Sequence, residues 1–196
     1  MKTMRIILLL LLPFLSLYSC GHNDNPTPKP TTYLRIDMPA HHYQPNDSLA
    51  LPFQFEYANE AQLSLKKNTP TEKWVDIRYP KYRGIIYLTY KDLASIDDLK
   101  GQIDTSYRLL SMHFDYSSGV EEQQYIDPVN KVYATTYHLQ GQNVASTYQF
   151  WATDSTHHFL RGSLFLNNTP NNDSLAHVIE YLQEDVNHLL ESLRWN

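Results

Sequence analysis

The sequence predicts a single α+β domain with a largely antiparallel sheet and two helices. Segments typical of strands come in two groups of about four, and a segment with helical spacing of apolar residues follows each group. Most connections between neighbouring strands are short, which favours antiparallel pairing. The second helical segment lies at the end of the sequence and carries one continuous apolar stripe. We therefore expect a long C-terminal helix packed on the sheet.

This C-terminal helix is the clearest element in the sequence. Its apolar residues recur at steps of three and four, which places them on one side of a helix of about five turns. Polar residues at 171–174 supply N-cap candidates, and Pro170 prevents an earlier start. The apolar stripe consists of Leu175, Val178, Ile179, Leu182, Val186, Leu189, Leu190 and Leu193.

The two strands before the helix form a hairpin whose register follows from their alternation. Alternate residues of each strand point to the same face, and the more apolar side of each strand includes Phe150 and Ala152 in the first and Leu160 in the second. These two sides lie on one face of the sheet when Ala152 is paired with Leu160 and Phe150 with Gly162. The glycine then leaves room for the Phe150 ring to cover bare backbone. We predict a connecting loop of three or five residues, with Phe150 rather than Trp151 facing the C-terminal helix.

The rest of the domain is predicted as short strands and one further helix. In the first half, strand patterns cover residues 33–37, 51–57, 61–65, 74–79 and 83–90, with loops at 38–51 and 68–73. Ser95 with Asp98 resembles a capping box and starts a helix that apolar spacing continues to Phe114. Strands at 119–126 and 131–139 flank a turn at 127–130.

Residues 1–19 have the pattern of a bacterial export signal. Lys2 and Arg5 form a basic start, and the apolar run at 6–15 is too short to span a bilayer. The following residues, Leu-Tyr-Ser-Cys-Gly at 17–21, resemble a lipobox, which predicts that Cys20 is acylated and becomes the mature N-terminus. The alternative is an ordinary signal peptide or an N-terminal membrane anchor with an incidental cysteine.

The segment 20–32 is predicted to be a lipidated, proline-rich tether that leads to a globular domain at 33–196. Its three prolines favour polyproline II, so that twelve residues reach about 40 Å. Cys20 is the only cysteine, so the mature domain has no internal disulfide. Removal of residues 1–19 takes away two basic residues and no acids, which changes the net charge from −5 to −7. This charge argues against nucleic acid as a partner and against electrostatic docking on anionic lipid.

The run Asp154-Ser155-Thr156-His157-His158 contains the residue types of a hydrolase triad. Adjacent residues in a turn rarely present triad geometry, and the strand–turn–helix context of a nucleophile elbow is absent from the sequence. Aspartate and serine are also residues that turns favour, because their side chains bind nearby backbone N–H groups. The structural interpretation is therefore preferred here.

Arg161 is the most informative charge, because it lies inside an otherwise apolar strand. One interpretation is structural: an ion pair with Asp154 or Asp173, or a stack on Trp151. The alternative is a small polar patch for ligand or partner contact at one end of the sheet. That patch would consist of Asp154, Ser155, His158 and Arg161, with Asp173 at the helix start nearby.

Motifs for metals and cofactors are absent from the sequence. Nine histidines are present, but no His-x-x-x-His or Glu-x-x-His helix pattern occurs, and we expect neither a metal site nor a cofactor. Aromatic residues make up 13% of the chain. Sheet packing is the simpler explanation for them, and an exposed aromatic face that binds a partner protein or envelope glycan is the alternative.

Taken together, the run TDSTHHFLRG at 153–162 and its surroundings resemble the gliding-motility lipoprotein GldD family of Bacteroidetes. Further matching positions include Ala145-Ser146, Gln149-Phe150, Pro170-Asn171, Asp173-Ser174, Glu184-Asp185, His188-Leu189 and Trp195. Upstream, Pro28-Lys29-Pro30, Tyr33, Pro52-Phe53, Trp74, Tyr79-Pro80 and Thr89-Tyr90 fit the same family. At fold level, strands followed by this last helix also look like PsbP/Mog1-type domains.

This resemblance implies a non-enzymatic envelope component of the gliding machinery and of the type IX secretion system that shares its parts. The lipid anchor of the family corresponds to Cys20. Partners implied are the membrane, through the acyl chains, and other envelope proteins of the apparatus. Because no acidic run follows Cys20, we expect the domain on the periplasmic side. The alternative function is an envelope ligand-binding domain or hydrolase that uses the Asp154–Arg161 patch.

Overall fold

The computed structural model describes residues 38–168 and 171–196. The predictions for the export signal, Cys20, the tether, the strand at 33–37 and Pro170 lie outside the described residues. Within these ranges the helices are α1, Ile96–Ser111, and α2, Asn172–Ser192, and a 3-10 turn covers Phe114–Tyr116. The strands are β1 Tyr43–Pro45, β2 Phe53–Gln54, β3 Glu56–Ala58, β4 Gln62–Asn68, β5 Glu72–Tyr79, β6 Gly84–Asp92, β7 Gly119–Asp127, β8 Val132–Gln140, β9 Tyr148–Thr153, β10 His158–Leu166 and β11 Arg194–Trp195.

Seven strands form the main sheet in the order β4-β5-β6-β10-β9-β8-β7, and every neighbouring pair is antiparallel. Two meanders with short turns, β4-β5-β6 and β7-β8-β9-β10, account for five of these pairings. The sixth pairing, β6 with β10, joins the meanders along nine residue pairs. The predicted α+β class with a largely antiparallel sheet is confirmed.

The predicted register of the β9–β10 hairpin is confirmed. Ala152 pairs with Leu160, and Phe150 pairs with Gly162. The last pair joins Thr153 to Phe159, which leaves the five residues 154–158 in the loop. Phe150 belongs to the same buried cluster as the apolar stripe of α2, so this helix packs on the predicted face of the sheet.

The two helices lie on opposite faces of the sheet. The front face carries the even-numbered residues of β10, and its core includes Leu160 and Leu164 with Leu182 and Val186 of α2. On the back face, α1 packs against β9 and β10. There Leu99 and Ile103 of α1 contact Phe159 and Trp151, and a second small cluster forms around Leu110, Leu139 and Val144.

Residues 51–57 form two strands rather than the single predicted strand. Strand β2 pairs with β11, whereas β3 pairs with β1, so the two halves have different partners. Between them, the N–H of Phe55 donates to Asn46 Oδ1 at 2.9 Å, and Asn46 Nδ2 donates to the carbonyl of Phe53 at 3.3 Å. The loop predicted at 68–73 is also too long, because β4 continues to Asn68 and β5 starts at Glu72.

Candidate functional site

The β9–β10 loop is held by the carboxylate of Asp154. Its Oδ1 accepts hydrogen bonds from the backbone N–H groups of Thr156, His157 and His158 at 2.8–3.0 Å, and its Oδ2 accepts from the Thr156 hydroxyl at 2.6 Å. Burial alone would raise the pKa of Asp154, but these hydrogen bonds outweigh burial and lower it to about 2. Ser155 has a φ of 71°, a left-handed conformation that closes the turn. The carboxylate is therefore ionised and fully engaged by its own loop.

His158 is the last residue of this loop and the first of β10, and it lies on the front face of the sheet. Its Nδ1 lies 2.8 Å from the hydroxyl of Tyr90, and its ring stacks on Trp195 with centroids 5.1 Å apart and planes 4° apart. Burial lowers the pKa of His158, against the attraction of Asp154 and Asp92. Trp195 is itself fixed, because its Nε1 donates to the carbonyl of Lys131 at 3.0 Å. These contacts tie the hairpin loop, the 127–131 turn and strand β11 together.

These three segments enclose a pocket of about 370 Å³, which we call the Trp195 pocket. It presents two cationic side chains, an imidazole and an indole. Lys131 has a φ of 53°, which is uncommon for a residue with a side chain. The residues that line the pocket are Val129, Asn130, Lys131, Asp154, His158, Arg194, Trp195 and Asn196.

The polar patch expected from the sequence is only partly assembled. Asp154, Ser155 and His158 lie together at the hairpin loop, beside or within the Trp195 pocket. Arg161 lies on the back face, because residues 158 and 161 differ by an odd number and alternate strand positions point to opposite faces. Asp173 lies near Gln140 and Gly141, at the other end of the sheet. The structure therefore brings Asp154, Ser155 and His158 together and places Arg161 and Asp173 elsewhere.

Arg161 has a different partner from those that the sequence suggested. Its Nη2 donates to Gln149 Oε1 at 2.7 Å, and it forms no ion pair with Asp154, Asp173 or any other described carboxylate. Trp151, the expected stacking partner, instead stacks on Phe159 with centroids 6.2 Å apart. Burial lowers the pKa of Arg161. Arg161 is therefore a half-buried cation in the back-face layer, held by an amide.

The hairpin loop does not have the geometry of a hydrolase triad. A triad needs an aspartate on the imidazole and the imidazole on the serine hydroxyl. Here Asp154 binds backbone N–H groups and Thr156, while His158 binds Tyr90. Residues 154–158, which the sequence predicts as a turn, do form a turn closed by the Asp154 carboxylate.

A second cluster of titratable residues lies where the start of the domain crosses α2. The two ring nitrogens of His41 lie 2.7 Å from Asp185 Oδ1 and 2.7 Å from Glu184 Oε2. Asp185 is only 2% exposed, and its burial raises its pKa, while the hydrogen bond from His41 opposes that shift. The imidazole of His41 also stacks on Tyr181, with centroids 4.1 Å apart.

This cluster continues into a short column of rings. Tyr43 stacks on His188 with centroids 3.6 Å apart and planes 8° apart. His188 Nε2 lies 2.7 Å from Glu56 Oε2. The pKa of Tyr43 is raised, first by burial and then by Asp185. The contacts of His41 and Tyr43 fasten residues 41–43 to α2, and we name this set of contacts the His41 latch.

Residues 38–168 and 171–196 contain no group of three or more His, Cys, Asp or Glu side chains that could hold a metal ion. Neither of the described helices combines the length and the apolar character needed to span a bilayer.

Sequence reasoning missed Lys131, Arg194 and Trp195 as members of a site. Lys131 and Trp195 are 64 residues apart in the chain and meet through one hydrogen bond. The one local signal was the turn at 127–130, which Asp127 closes by accepting from the N–H groups of Val129 and Asn130. The residue types at 127–130 predict a turn, but they do not indicate that Arg194 and Trp195 lie beside it.

The fold and the site define a single α+β domain with a small pocket that carries two cations, and without a catalytic triad among the described residues. The chain belongs to a family of gliding motility lipoproteins, GldD, because the model of that family matches residues 23–195. No curated protein matches the chain. The chain is accordingly a lipoprotein of gliding motility that associates with a membrane of the cell envelope.

Proposed function

We propose that this protein is a lipid-anchored, non-catalytic component of the machinery for gliding motility and of the associated type IX secretion system. The observation that carries the proposal is the family match, which extends over residues 23–195. The match covers the whole described domain except its last residue and begins three residues after Cys20, so the family relationship concerns the folded part.

The anchor in this proposal is Cys20, acylated with palmitate-type chains in a bacterium of the Bacteroidetes. Cys20 is the only cysteine and follows a basic start and a ten-residue apolar run. Two or more acyl chains hold a protein stably on a membrane without help from charge. The segment after Cys20 lacks an acidic run, and on this ground we place the domain in the periplasm.

The geometry of the loop 154–158 supports a non-catalytic role. Each oxygen of Asp154 is engaged by its own turn, and His158 is engaged by Tyr90 and Trp195. A general base needs a free nitrogen or oxygen near the proton that it takes up, together with a nucleophile. The loop instead has the contacts of a structural turn.

The surface best suited to a partner protein is the part of the back face that α1 leaves open, over β5 and β6. Trp74 and Tyr87 are 45% and 40% exposed there, and Tyr87 lies edge-on to Phe165 with centroids 5.7 Å apart. Lys67 lies over the Trp74 ring at 4.7 Å. Exposed aromatic residues of this kind are enriched at the centres of protein interfaces.

Site-specific photo-crosslinking in living cells tests the proposal. A benzophenone amino acid replaces Tyr87, and the matched control carries it at Tyr107, a tyrosine on α1 that is more exposed, at 55%. We expect crosslinks from position 87 to envelope proteins of the motility or secretion apparatus, and few or none from position 107. Equal yields at both positions, or products that contain lipid alone, would contradict the proposal.

An envelope ligand-binding domain is the second candidate function. The Trp195 pocket favours it, because its volume of about 370 Å³ lies within the range of small-molecule sites. The hydrolase form of this alternative has less support, since Asp154, Ser155 and His158 do not form a triad.

A further inference from the structure

We propose that the Trp195 pocket binds an oxyanion group, of the phosphate class, through Lys131, Arg194 and His158. This inference rests on the second candidate function and specifies its ligand. It concerns different residues from the open back face over β5 and β6. Either proposal can therefore fail while the other holds.

The first argument is the balance of charge inside the pocket. Lys131 and Arg194 form no ion pair with any carboxylate of the described residues. Only Nη1 of the Arg194 guanidinium is engaged, by the carbonyls of Glu191 and Leu193. Its remaining N–H groups are available to an oxyanion, for which a guanidinium is the preferred partner.

The second argument is that the acids near these cations are already occupied. Asp154 accepts three backbone N–H groups and the Thr156 hydroxyl. Asp127, which lies close enough to Arg194 for their charges to interact, accepts from the N–H groups of Val129 and Asn130 and from the Asn130 side chain. The oxygens of both carboxylates are engaged in their own turns, so neither forms an ion pair with Lys131 or Arg194.

The third argument is that the backbone of Lys131 and the ring of Trp195 are held in place. Trp195 Nε1 binds the Lys131 carbonyl at 3.0 Å, and this contact accompanies a left-handed backbone at Lys131, with φ of 53°. Strained positions of this kind persist where the surrounding structure fixes them, and they concentrate at binding sites. The stack of His158 on Trp195 forms the aromatic wall of the pocket.

His158 supplies the third donor. When the Tyr90 hydroxyl donates to Nδ1, at 2.8 Å, the ring hydrogen lies on Nε2. Burial raises the pKa of Tyr90 to about 12, so the phenol stays protonated and keeps this role at neutral pH. Three separate donors suit the three or four acceptor oxygens of a phosphate group better than the two oxygens of a carboxylate.

The test uses the full chain in non-ionic detergent, with inorganic phosphate as the probe and sodium chloride of equal ionic strength as the reference. Phosphate at about ten times its dissociation constant should raise the Tm by about 3 to 6 °C. The chain has three tryptophans, so three indole N–H peaks are expected in its ¹H–¹⁵N NMR spectrum. We expect the Trp195 peak to move with phosphate while those of Trp74 and Trp151 stay in place.

Lys131→Gly is the decisive variant. Glycine adopts a φ of 53° without strain, so the variant should be at least as stable as the parent. Its affinity for phosphate, measured from the Tm and from the Trp195 peak, should be at least tenfold lower. Arg83→Gly is the matched control, because Arg83 is also a cation with a left-handed φ, of 54°, and lies outside the pocket. It should gain the same relief from strain and keep phosphate binding. Phosphate effects that are absent from the parent, or that persist in Lys131→Gly, would overturn the proposal.

Two sources of a phosphate group can be separated in the same assay. Phosphatidylglycerol added to the detergent micelles should move the Trp195 peak, relative to phosphatidylcholine, if a lipid headgroup is the ligand. If only free phosphate moves that peak, the ligand is a soluble phosphate compound. A peak that responds to neither contradicts the site.

Discussion

Phe150 covers Gly162 so closely that a Cβ atom on the glycine would lie 2.0 Å from Phe150 Cε1 and 2.3 Å from its Cζ. The two residues are paired across β9 and β10, in the middle of the front face. Phe150 is buried in the same cluster as Leu182 and Val186 of α2, so its ring has no free space to move into. This pair therefore links the hairpin register to the seating of the C-terminal helix.

Gly162→Ala should accordingly destabilise the domain by about 2–3 kcal/mol, through overpacking against Phe150. Urea unfolding followed by circular dichroism measures the change. Gly101→Ala is the matched control, since nothing lies within 4 Å of a Cβ at this exposed helical position. It should gain about 0.5–1 kcal/mol from helix propensity. A loss of less than about 0.5 kcal/mol for Gly162→Ala would show that Phe150 can relocate.

Local rules were sufficient to predict this part of the fold. The alternation of apolar residues gave the pairing of Phe150 with Gly162, and Ser95 with Asp98 gave the start of α1, where Ser95 Oγ accepts from the Asp98 N–H at 3.2 Å. Each signal lies within a few residues of the structure that it specifies. The same alternation rule also separates His158 from Arg161, so the placement of these two side chains on opposite faces was predictable from the sequence.

The contacts that build the candidate site could not be predicted in this way. Strand β11 has two residues and pairs with β2, more than a hundred residues earlier in the chain. Lys131 approaches Trp195 only because α2 runs back along the sheet to the hairpin loop. Contacts between distant segments depend on the packing of whole layers, and no periodicity within one strand or helix encodes them.

Asp154→Ala should lower stability at pH 7 by about 2–3 kcal/mol, because several donors of the 154–158 loop lose their acceptor. The folded pKa of Asp154, about 2, is below its ordinary value of 3.8. The contribution of the carboxylate is therefore complete above pH 4 and is lost as the pH falls through 2. Urea unfolding at pH 7, 4 and 2.5 should show the parent and the variant converging.

Ser155→Gly provides the control for this loop. Ser155 has a φ of 71°, which glycine adopts without strain, so the variant should keep its stability and its pH dependence. If Asp154→Ala and the parent differ by a constant amount from pH 7 to pH 2.5, the carboxylate does not hold the loop in the way that the hydrogen bonds indicate.

His41→Ala should destabilise the domain by about 3 kcal/mol, because it leaves the buried carboxyl group of Asp185 without the imidazole that is hydrogen-bonded to it. Asp185→Asn in the same background should restore part of the loss, since a buried amide costs less to leave unpaired than a carboxylate. A double-mutant cycle measured by urea unfolding gives the coupling between the two residues, expected to exceed 1 kcal/mol. His42→Ala is the matched control, as His42 is exposed and should change stability by less than about 0.5 kcal/mol. A coupling near zero would refute the His41 latch.

Cys20→Ala should abolish labelling by radioactive or clickable palmitate. The physical reason is that Cys20 is the only cysteine of the chain, so the variant has no thiol left to acylate. Ser19→Ala, next to the proposed acylation site, should keep its label. Palmitate incorporation that survives Cys20→Ala would reject lipidation at this residue.

Arg161 and Gln149 allow a final test of the back-face layer. Gln149→Leu leaves the half-buried guanidinium of Arg161 without its hydrogen-bond partner and should cost about 2–3 kcal/mol. Arg161→Met leaves the buried Gln149 amide unpaired, with a smaller expected cost of about 1–2 kcal/mol. The double variant removes both polar groups and replaces them with apolar side chains of similar length, so it should be less destabilised than Gln149→Leu alone. Urea unfolding measures the free energy of unfolding of the three variants. If Arg161 and Gln149 had separate structural roles, the losses of the two single variants would add in the double variant, so a smaller loss in the double variant shows that the two residues act as a pair. If Arg161→Met keeps full stability and cells nevertheless lose motility, the guanidinium instead contacts a partner.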